Sequence, residues 1–273
     1  KTSISRAILN IYKKANYNIS CCALSAMAAK RITEATGFQA STIHRLLGYN
    51  IDGFLYDHNN PIPADVILVD ECSMINVGIF EALLSAIREG AKIILCGDNK
   101  QLPPIGYGNV FNDLLIKTDE FDIFKLTKVL RQAEKSGILT DANKIRNGKY
   151  PIKQPELKIV NGELQDMVYM FRDNREGLQK IAINTYMRSV EQDGLDNVVI
   201  ITPRRNNCAN SAAEINNRIV DLIADKSQKS MRIGDKYFYI GSKVMQIENN
   251  YEKNVFNGEI EIGRAHVWTP VTS

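Results

Sequence analysis

Apolar residues along the first hundred positions follow two patterns that alternate. Ile4, Ala7, Ile8 and Ile11 recur at three- and four-residue spacing, which predicts a helix over 3–14, and a β-prone run follows at 17–24. A second helical stretch at 26–35 stops at Gly37, as a helix C-terminus should, and Ser41 or Thr42 is placed to cap a short helix that runs to Leu47. A polar loop rich in Asn, Asp, Gly and Pro occupies 50–63. Beyond it, Val66-Ile67-Leu68-Val69 and Ile93-Ile94-Leu95-Cys96 are apolar without alternation, the pattern of strands covered on both faces of a parallel sheet. The stretch between them, 77–88, reads as a helix, and strand, helix and strand within about 30 residues make the parallel crossover of an α/β sheet.

The second half predicts helices at 136–147, 175–191 and 210–223, with strands at 167–171 and 198–201. That is a second α/β set with a sheet of its own. From Met231 the period shortens: 237–240 and 243–247 read as antiparallel strands of a small β-insert. No internal repeat stands out. The 273 residues suffice for one large core or two modest ones, and 44% apolar with 24% charged residues is a globular balance that excludes disorder and fibrous repeats. No run approaches the roughly 18 apolar residues that span a bilayer, and the first residues lack the apolar run of a secretory leader, so the expected location is the cytoplasm, with no membrane partner. The five cysteines form no CxxC pair and read as small core residues rather than disulfides or zinc ligands. A net charge of +3 neither establishes nor excludes nucleic acid.

Candidate chemistry gathers at the ends of the buried strands, where α/β sheets place their ligands. The first ends in Asp70-Glu71. In a nucleotide hydrolase the Asp of such a doublet holds Mg²⁺ and the Glu polarises the attacking water; the plain alternative is an acidic strand end. Lys1-Thr2, directly before a helix, matches the last two letters of GxxxxGK[ST], whose amides and lysine cradle phosphates while the hydroxyl binds Mg²⁺. Lys1 precedes Asp70 by 69 residues, space for the intervening helix, strand and further helix. After the second strand comes Gly97-Asp98-Asn99-Lys100-Gln101-Leu102-Pro103-Pro104. The Gln101 amide can donate to a γ-phosphate and accept from the attacking water; the alternative is a turn that Pro ends.

Together, Asp70-Glu71-Cys72-Ser73-Met74, the run 97–104 continuing through Gly106 and Gly108, and Leu126-Thr127-Lys128-Val129-Leu130-Arg131-Gln132 resemble the superfamily 1 helicases of the RecD type. So do Ala29-Lys30-Arg31, Thr42-Ile43-His44-Arg45-Leu46-Leu47 and Thr202-Pro203-Arg204-Arg205, in matching order over roughly 1–260. The resemblance implies two RecA-like P-loop NTPase lobes, both incomplete, with ATP between them and single-stranded DNA across the top, moved 5′ to 3′ and engaged at duplex junctions. It implies ATP and Mg²⁺ as cofactors. Lys1 and Thr2 would be the phosphate-loop lysine and the Mg²⁺-binding hydroxyl, Asp70 the metal carboxylate, and Glu71 the base. Gln101 would couple the γ-phosphate to DNA, Asp98 and Arg204 would stand with the nucleotide ligands, and Arg131 would be an arginine finger, for which its fixed, always charged fork is suited.

By the same resemblance Ser25, Lys30, Thr42 and His44 face DNA; for His44 a buried role orienting its loop is the alternative. The stretch 240–259 resembles the start of an SH3-like barrel, in which Tyr251 and Phe256 either stack on bases or form the barrel's own core. Leu24-Ser25 stands where the family shows Pro-Thr and Cys72 where it shows Ala, changes that tolerate the proposed roles. The expected domains are lobe 1 at 1–127, part of lobe 2 at 128–230 and the β-insert from 231 to 261. The last residues, 262–273, resemble the translation of a sequencing adapter and are expected to be non-native, and the chain is expected to be a fragment that lacks most of the phosphate loop and the later motifs.

Overall fold

The structure, a computed structural model, describes residues 2–262 except 52, 118, 127–134, 155, 225–226, 228–229, 234–235, 249, 251–252, 254, 256 and 258. The chain forms two units, one made of Lys1–Lys128 with Met245–Glu259 and the other of Val129–Val244 with Ile260–Ser273. Arg131, Tyr251, Phe256, Lys1 and the expected adapter tail from 263 onward lie outside the described residues.

The first unit is built on four strands: β1 (Ile19–Ala23), β2 (Ala40–Thr42), β3 (Val66–Asp70) and β4 (Lys92–Leu95). They are all parallel and lie in the order β2-β1-β3-β4. Their side chains alternate between two apolar layers. Cys22, Ile67 and Val69 join Ile43, Leu47, Ile75, Phe80 and Leu83 on one face, while Cys21, Ala23 and Leu68 meet Leu9 and Ile32 on the other. The run Val66–Val69 of β3 has cores on both sides and is apolar at every position for that reason.

Five helices supply those layers: α1 (Thr2–Lys14), α2 (Ala26–Thr36), α3 (Ile43–Leu46), α4 (Val77–Ser85) and α5 (Val110–Leu114). Gly37 ends α2 with φ 77°, a left-handed conformation that glycine adopts without a Cβ penalty. Helix α4 stops short of the predicted 88. Arg88 instead serves the turn into β4, where its Nε donates to the Ala64 carbonyl and its guanidinium pairs with Asp65, and Gly90 reverses the chain at φ 79°. The apolar Ala86 and Ile87 prolong the helical period past the helix itself. Strand β2 and helix α5 were not predicted.

The second unit begins with α6 (Gly137–Arg146), packed beside an antiparallel hairpin of β5 (Lys158–Asn161) and β6 (Met167–Met170). Helices α7 (Arg175–Asp193) and α8 (Ala212–Ile223) share a small core of Ile183, Tyr186, Ile215 and Ile219. A second antiparallel hairpin joins β7 (Ser230–Ile233) to β8 (Lys236–Tyr239), and β9 (Lys243–Met245) pairs with β10 (Ile260–Ile262).

One predicted strand is corrected. Residues 198–201 form no strand, and no strand pairs with them among the described residues. Val198 and Ile200 pack on the α7–α8 core, whereas Val199 and Ile201 are 66% and 89% exposed. The Lys243 ammonium donates to the carbonyls of Leu195 and Val198, taking up backbone acceptors that a ladder would otherwise use. Among the described residues no helix is long and apolar enough to cross a membrane.

Candidate nucleotide and nucleic-acid site

The register of the sheet brings the predicted chemistry to one edge. Val69 lies opposite Leu95, the Cys96 N–H donates to the Val69 carbonyl at 2.8 Å, and the Cys72 N–H donates to the Cys96 carbonyl at 3.0 Å. The acidic doublet and the 97–101 turn therefore leave neighbouring strand tips side by side. Glu71 adopts φ 54°, ψ 40°, an uncommon left-handed conformation for a residue with a Cβ. Its N–H donates to Asp70 Oδ1 at 2.8 Å, and a 3₁₀ turn over Cys72–Met74 follows at once, with the Cys72 thiol donating to the Val69 carbonyl at 3.1 Å. The chain thus reverses at the doublet with both carboxylates half-buried at the sheet edge. Ser73 Oγ is buried and has no hydrogen-bond partner among the described residues.

The first turn of α1 reaches the same edge, with Ser5 Oγ 3.9 Å from Cys96 Sγ just past β4. Thr2 opens that helix. The glutamine turn is held from within and from behind. Asp98 Oδ1 accepts from the Lys100 N–H at 3.0 Å, and the Gln101 N–H donates to the Asp98 carbonyl at 3.1 Å. Asn76 Nδ2 donates to the Ile105 carbonyl at 3.2 Å while its Oδ1 caps α4, and the Val77 N–H donates to the Tyr107 carbonyl at 3.0 Å. A side chain at Gly97 would collide with the Phe111 ring, so only glycine lets the turn leave β4 so tightly. Gln101 stays exposed. Burial pushes the Cys21 thiol up to about 11 and raises those of Cys22 and Cys72 as well, so these sulfurs pack as neutral groups.

The residues expected to face DNA occupy the other half of this edge. Ser25 follows β1 and Thr42 ends β2; their Oγ atoms accept from Ala28 and Arg45 N–H, each at 3.2 Å, and so start α2 and α3. The Lys30 ammonium pairs with Glu259 at 2.5 Å. His44 is half-buried, edge-on to Tyr49 with ring centroids 5.6 Å apart and 6.2 Å from Phe54. Tyr49 and Phe54 themselves lie 5.2 Å apart and are 62% and 37% exposed. Sequence reasoning passed over these two aromatics, of which Tyr49 borders and Phe54 lies within the stretch read as a polar loop. They meet because Asn50 and Gly53 exchange backbone hydrogen bonds and fold the intervening turn back. Arg204 belongs to the second unit, exposed in the loop before α8, where its carbonyl accepts from the Ala212 N–H at 2.9 Å.

The sequence over these elements matches a known family. Residues 1–165 match the model of the AAA domain, more than half of the chain. The chain belongs to the AAA domain family. The resemblance to the RecD type is borne out by a second stretch: residues 215–265 match the model described as the ATP-dependent RecD-like DNA helicase SH3 domain. The chain is 30% identical over 265 residues to the ATP-dependent RecD2 DNA helicase of Deinococcus radiodurans, covering 95% of this chain and 34% of the relative. It is 27% identical over 235 residues to the RecBCD enzyme subunit RecD of Mycolicibacterium smegmatis, covering 82% and 41%. The chain thus spans well under half the length of these relatives. The crystal structure of Bacteroides Pif1 bound to ssDNA shares the fold at a TM-score of 0.50 and 17% identity, covering 97% of this chain and 63% of that one.

An AAA domain implies ATP, and the two residue types expected to hold its Mg²⁺ suit that metal. Thr2 offers a hydroxyl at the start of α1 and Asp70 a carboxylate at the end of β3. Mg²⁺ suits such a site because it keeps water and phosphate oxygens as most of its ligands.

Proposed function

We propose that this chain is part of an ATP-dependent DNA helicase that couples ATP hydrolysis to 5′–3′ movement on single-stranded DNA, acting at duplex junctions during repair or recombination in the cytoplasm. The observation that carries this reading is the division of one sheet edge. The doublet and glutamine turn stand at the tips of β3 and β4 beside the first turn of α1, and the DNA-facing candidates stand at the tips of β1 and β2. Nucleotide and strand would then sit on one rigid set of strands, so that a change at the phosphates reaches the DNA side through a single sheet. The RecD2 and RecD relatives support the activity, and Pif1 bound to ssDNA supports the fold that carries it.

In this reading Lys1 neutralises phosphate charge, Thr2 and Asp70 hold Mg²⁺, and Asp98 and Arg204 contribute to nucleotide binding. The bound metal supplies charge neutralisation on the phosphate oxygens. Glu71, fixed by the reversal at φ 54°, takes the proton of the attacking water, and Gln101, exposed on the adjacent turn, orients that water. Arg131 stabilises the charge that develops on the transferred group. Lys30 contacts DNA phosphates, while the hydroxyls of Ser25 and Thr42 and the His44–Tyr49–Phe54 group meet sugar and base faces.

The test uses the full-length gene product. ATP hydrolysis should rise on adding single-stranded DNA, and Glu71→Gln should lower kcat by about a thousandfold while nucleotide binding persists. Duplexes with a 5′ overhang should unwind and those with a 3′ overhang should not. ATPase activity indifferent to DNA would defeat the coupling, and stimulated ATPase without strand separation would reduce the protein to an ATP-responsive DNA binder.

A further inference from the structure

The turn that carries Gln101 continues into a loop that places large apolar side chains in water: Leu102, Ile105 and Tyr107 are 85%, 92% and 89% exposed. Such exposure is ordinary in a loose loop, but here the backbone beneath is fastened. The Ile105 carbonyl accepts from Asn76 Nδ2 at 3.2 Å and the Tyr107 carbonyl accepts from the Val77 N–H at 3.0 Å. Tyr107 stands between Gly106 at φ 109° and Gly108 at φ 83°, and a Cβ on either glycine would come within 3.1 Å of Asn76 or Val77. Glycine on both sides thus lets the loop lie close against the start of α4 while the ring of the residue between them stays in solvent.

The same fastening carries the loop to a particular side of the sheet. Helices α3 and α4 pack on one face, through Ile43 from α3 and Phe80 and Leu83 from α4. A loop tied to the start of α4 therefore stands on the side that also carries His44 with Tyr49 and Phe54. Its charge points the same way. Between Asp98 and Asp113 the sequence has no acidic residue, and Lys100 is exposed. A cation and an open ring with no carboxylate near them in sequence suit a single strand, whose phosphates meet no repulsion and whose bases all offer a face for stacking. We propose that Tyr107 binds single-stranded DNA by stacking its ring on a nucleobase. This rests on the single-stranded DNA reading above and adds to it a base contact on the loop that follows Gln101. Because Asn76 and Val77 already hold the backbone, stacking orders only the side chain and little conformational entropy is lost.

The test measures binding of the full-length protein by fluorescence anisotropy, for the wild type and for Tyr107→Ala, Tyr107→Leu and Tyr107→Phe, on an oligothymidylate and on a strand of the same length built of abasic units. On the oligothymidylate Tyr107→Ala and Tyr107→Leu should each bind about tenfold more weakly than the wild type. Tyr107→Phe should stay within about twofold of it, because the aromatic face and not the apolar volume makes the contact. On the abasic strand the wild type and the variants should bind alike. The slope of affinity against salt should be the same in all of them, since no phosphate contact is lost. Wild-type affinity in Tyr107→Ala, rescue by Tyr107→Leu, or an equal loss on the abasic strand overturns the stacking and leaves the helicase reading standing. Failure of the wild type to bind the oligothymidylate overturns the helicase reading and the inference with it.

Discussion

The two units hold their elements in place by different physical means. In the first, Asp70 and the 97–101 turn are set by the strands beneath them, which are buried on both faces and allow no sliding without exposing Ile67, Leu68 and Val69. In the second, the described ladders are two-stranded, and the α6 helix is held to its hairpin by carboxylates. Non-directional burial thus fixes the doublet and directed charge-assisted hydrogen bonds fix α6. The first arrangement should be insensitive to acid and salt and sensitive to lost volume; the second should be the reverse.

The largest expected effect breaks the first arrangement. Leu68 is 1% exposed at the centre of β3, packed against Leu9 and Ile32, and its neighbour across the sheet is Ile94. Leu68→Ala should destabilise the first unit by about 2–5 kcal/mol through lost transfer energy and the cavity left behind. Urea unfolding followed by hydrogen exchange in β1, β3 and β4 would measure it. Unchanged protection in those strands would mean that volume is not what holds the tips.

Next in size is the polar joint of the second unit. Asp141→Ala strips the partner from Asn161 and Tyr169 in a buried setting and should cost about 2–4 kcal/mol, seen as lost protection in α6, β5 and β6. Acid should do the same without mutation. Burial by itself would raise the Asp141 carboxyl, but hydrogen bonds from Lys144, Asn161 and Tyr169 outweigh it and hold it below the ordinary 3.8. The Ser136 hydroxyl and the Gly137 N–H likewise hold Asp166 below 3.8. A folded-state pKa below the unfolded one adds stability that is complete above about 3.8 and disappears as pH falls through the folded value. Protection of α6 should therefore fall with acid below that point before protection of β3 does. Simultaneous loss in both units would erase the contrast.

The same contrast explains what could be read from sequence. β3 and β4 announced themselves because double-sided burial leaves an unbroken apolar run, and their tips carried the doublet and the glutamine turn with them. The apolar run at 198–201 misled because packing Val198 and Ile200 on helices calls for the same residues as a ladder does. The strain at Glu71 has no signature in residue type. The Asp141–Asn161–Tyr169 joint and the Ser136–Asp166 pair join positions 20 to 30 residues apart that share no local period, so only the folded chain shows them. Tyr49 and Phe54 were hidden in the same way, since the backbone exchange between Asn50 and Gly53 is what makes them neighbours.

The smallest effect sharpens the comparison from inside the first unit, at one of its charged contacts. Lys30 and Glu259 pair at 2.5 Å, with the lysine side chain 48% exposed. With its lysine half open to water the pair contributes about 1 kcal/mol, so Glu259→Gln should leave urea stability nearly unchanged and should not disturb β3. Its effect should appear in binding. If Lys30 meets DNA phosphate, removing the competing carboxylate should tighten single-stranded DNA binding by about two- to threefold at low salt, a gain that fades as added salt screens the competition. Measured by fluorescence anisotropy on the full-length protein across a salt series, equal affinity at every salt concentration would separate Lys30 from the DNA path. A large loss of stability in the same variant would show instead that a charged contact, and not burial alone, holds the first unit together.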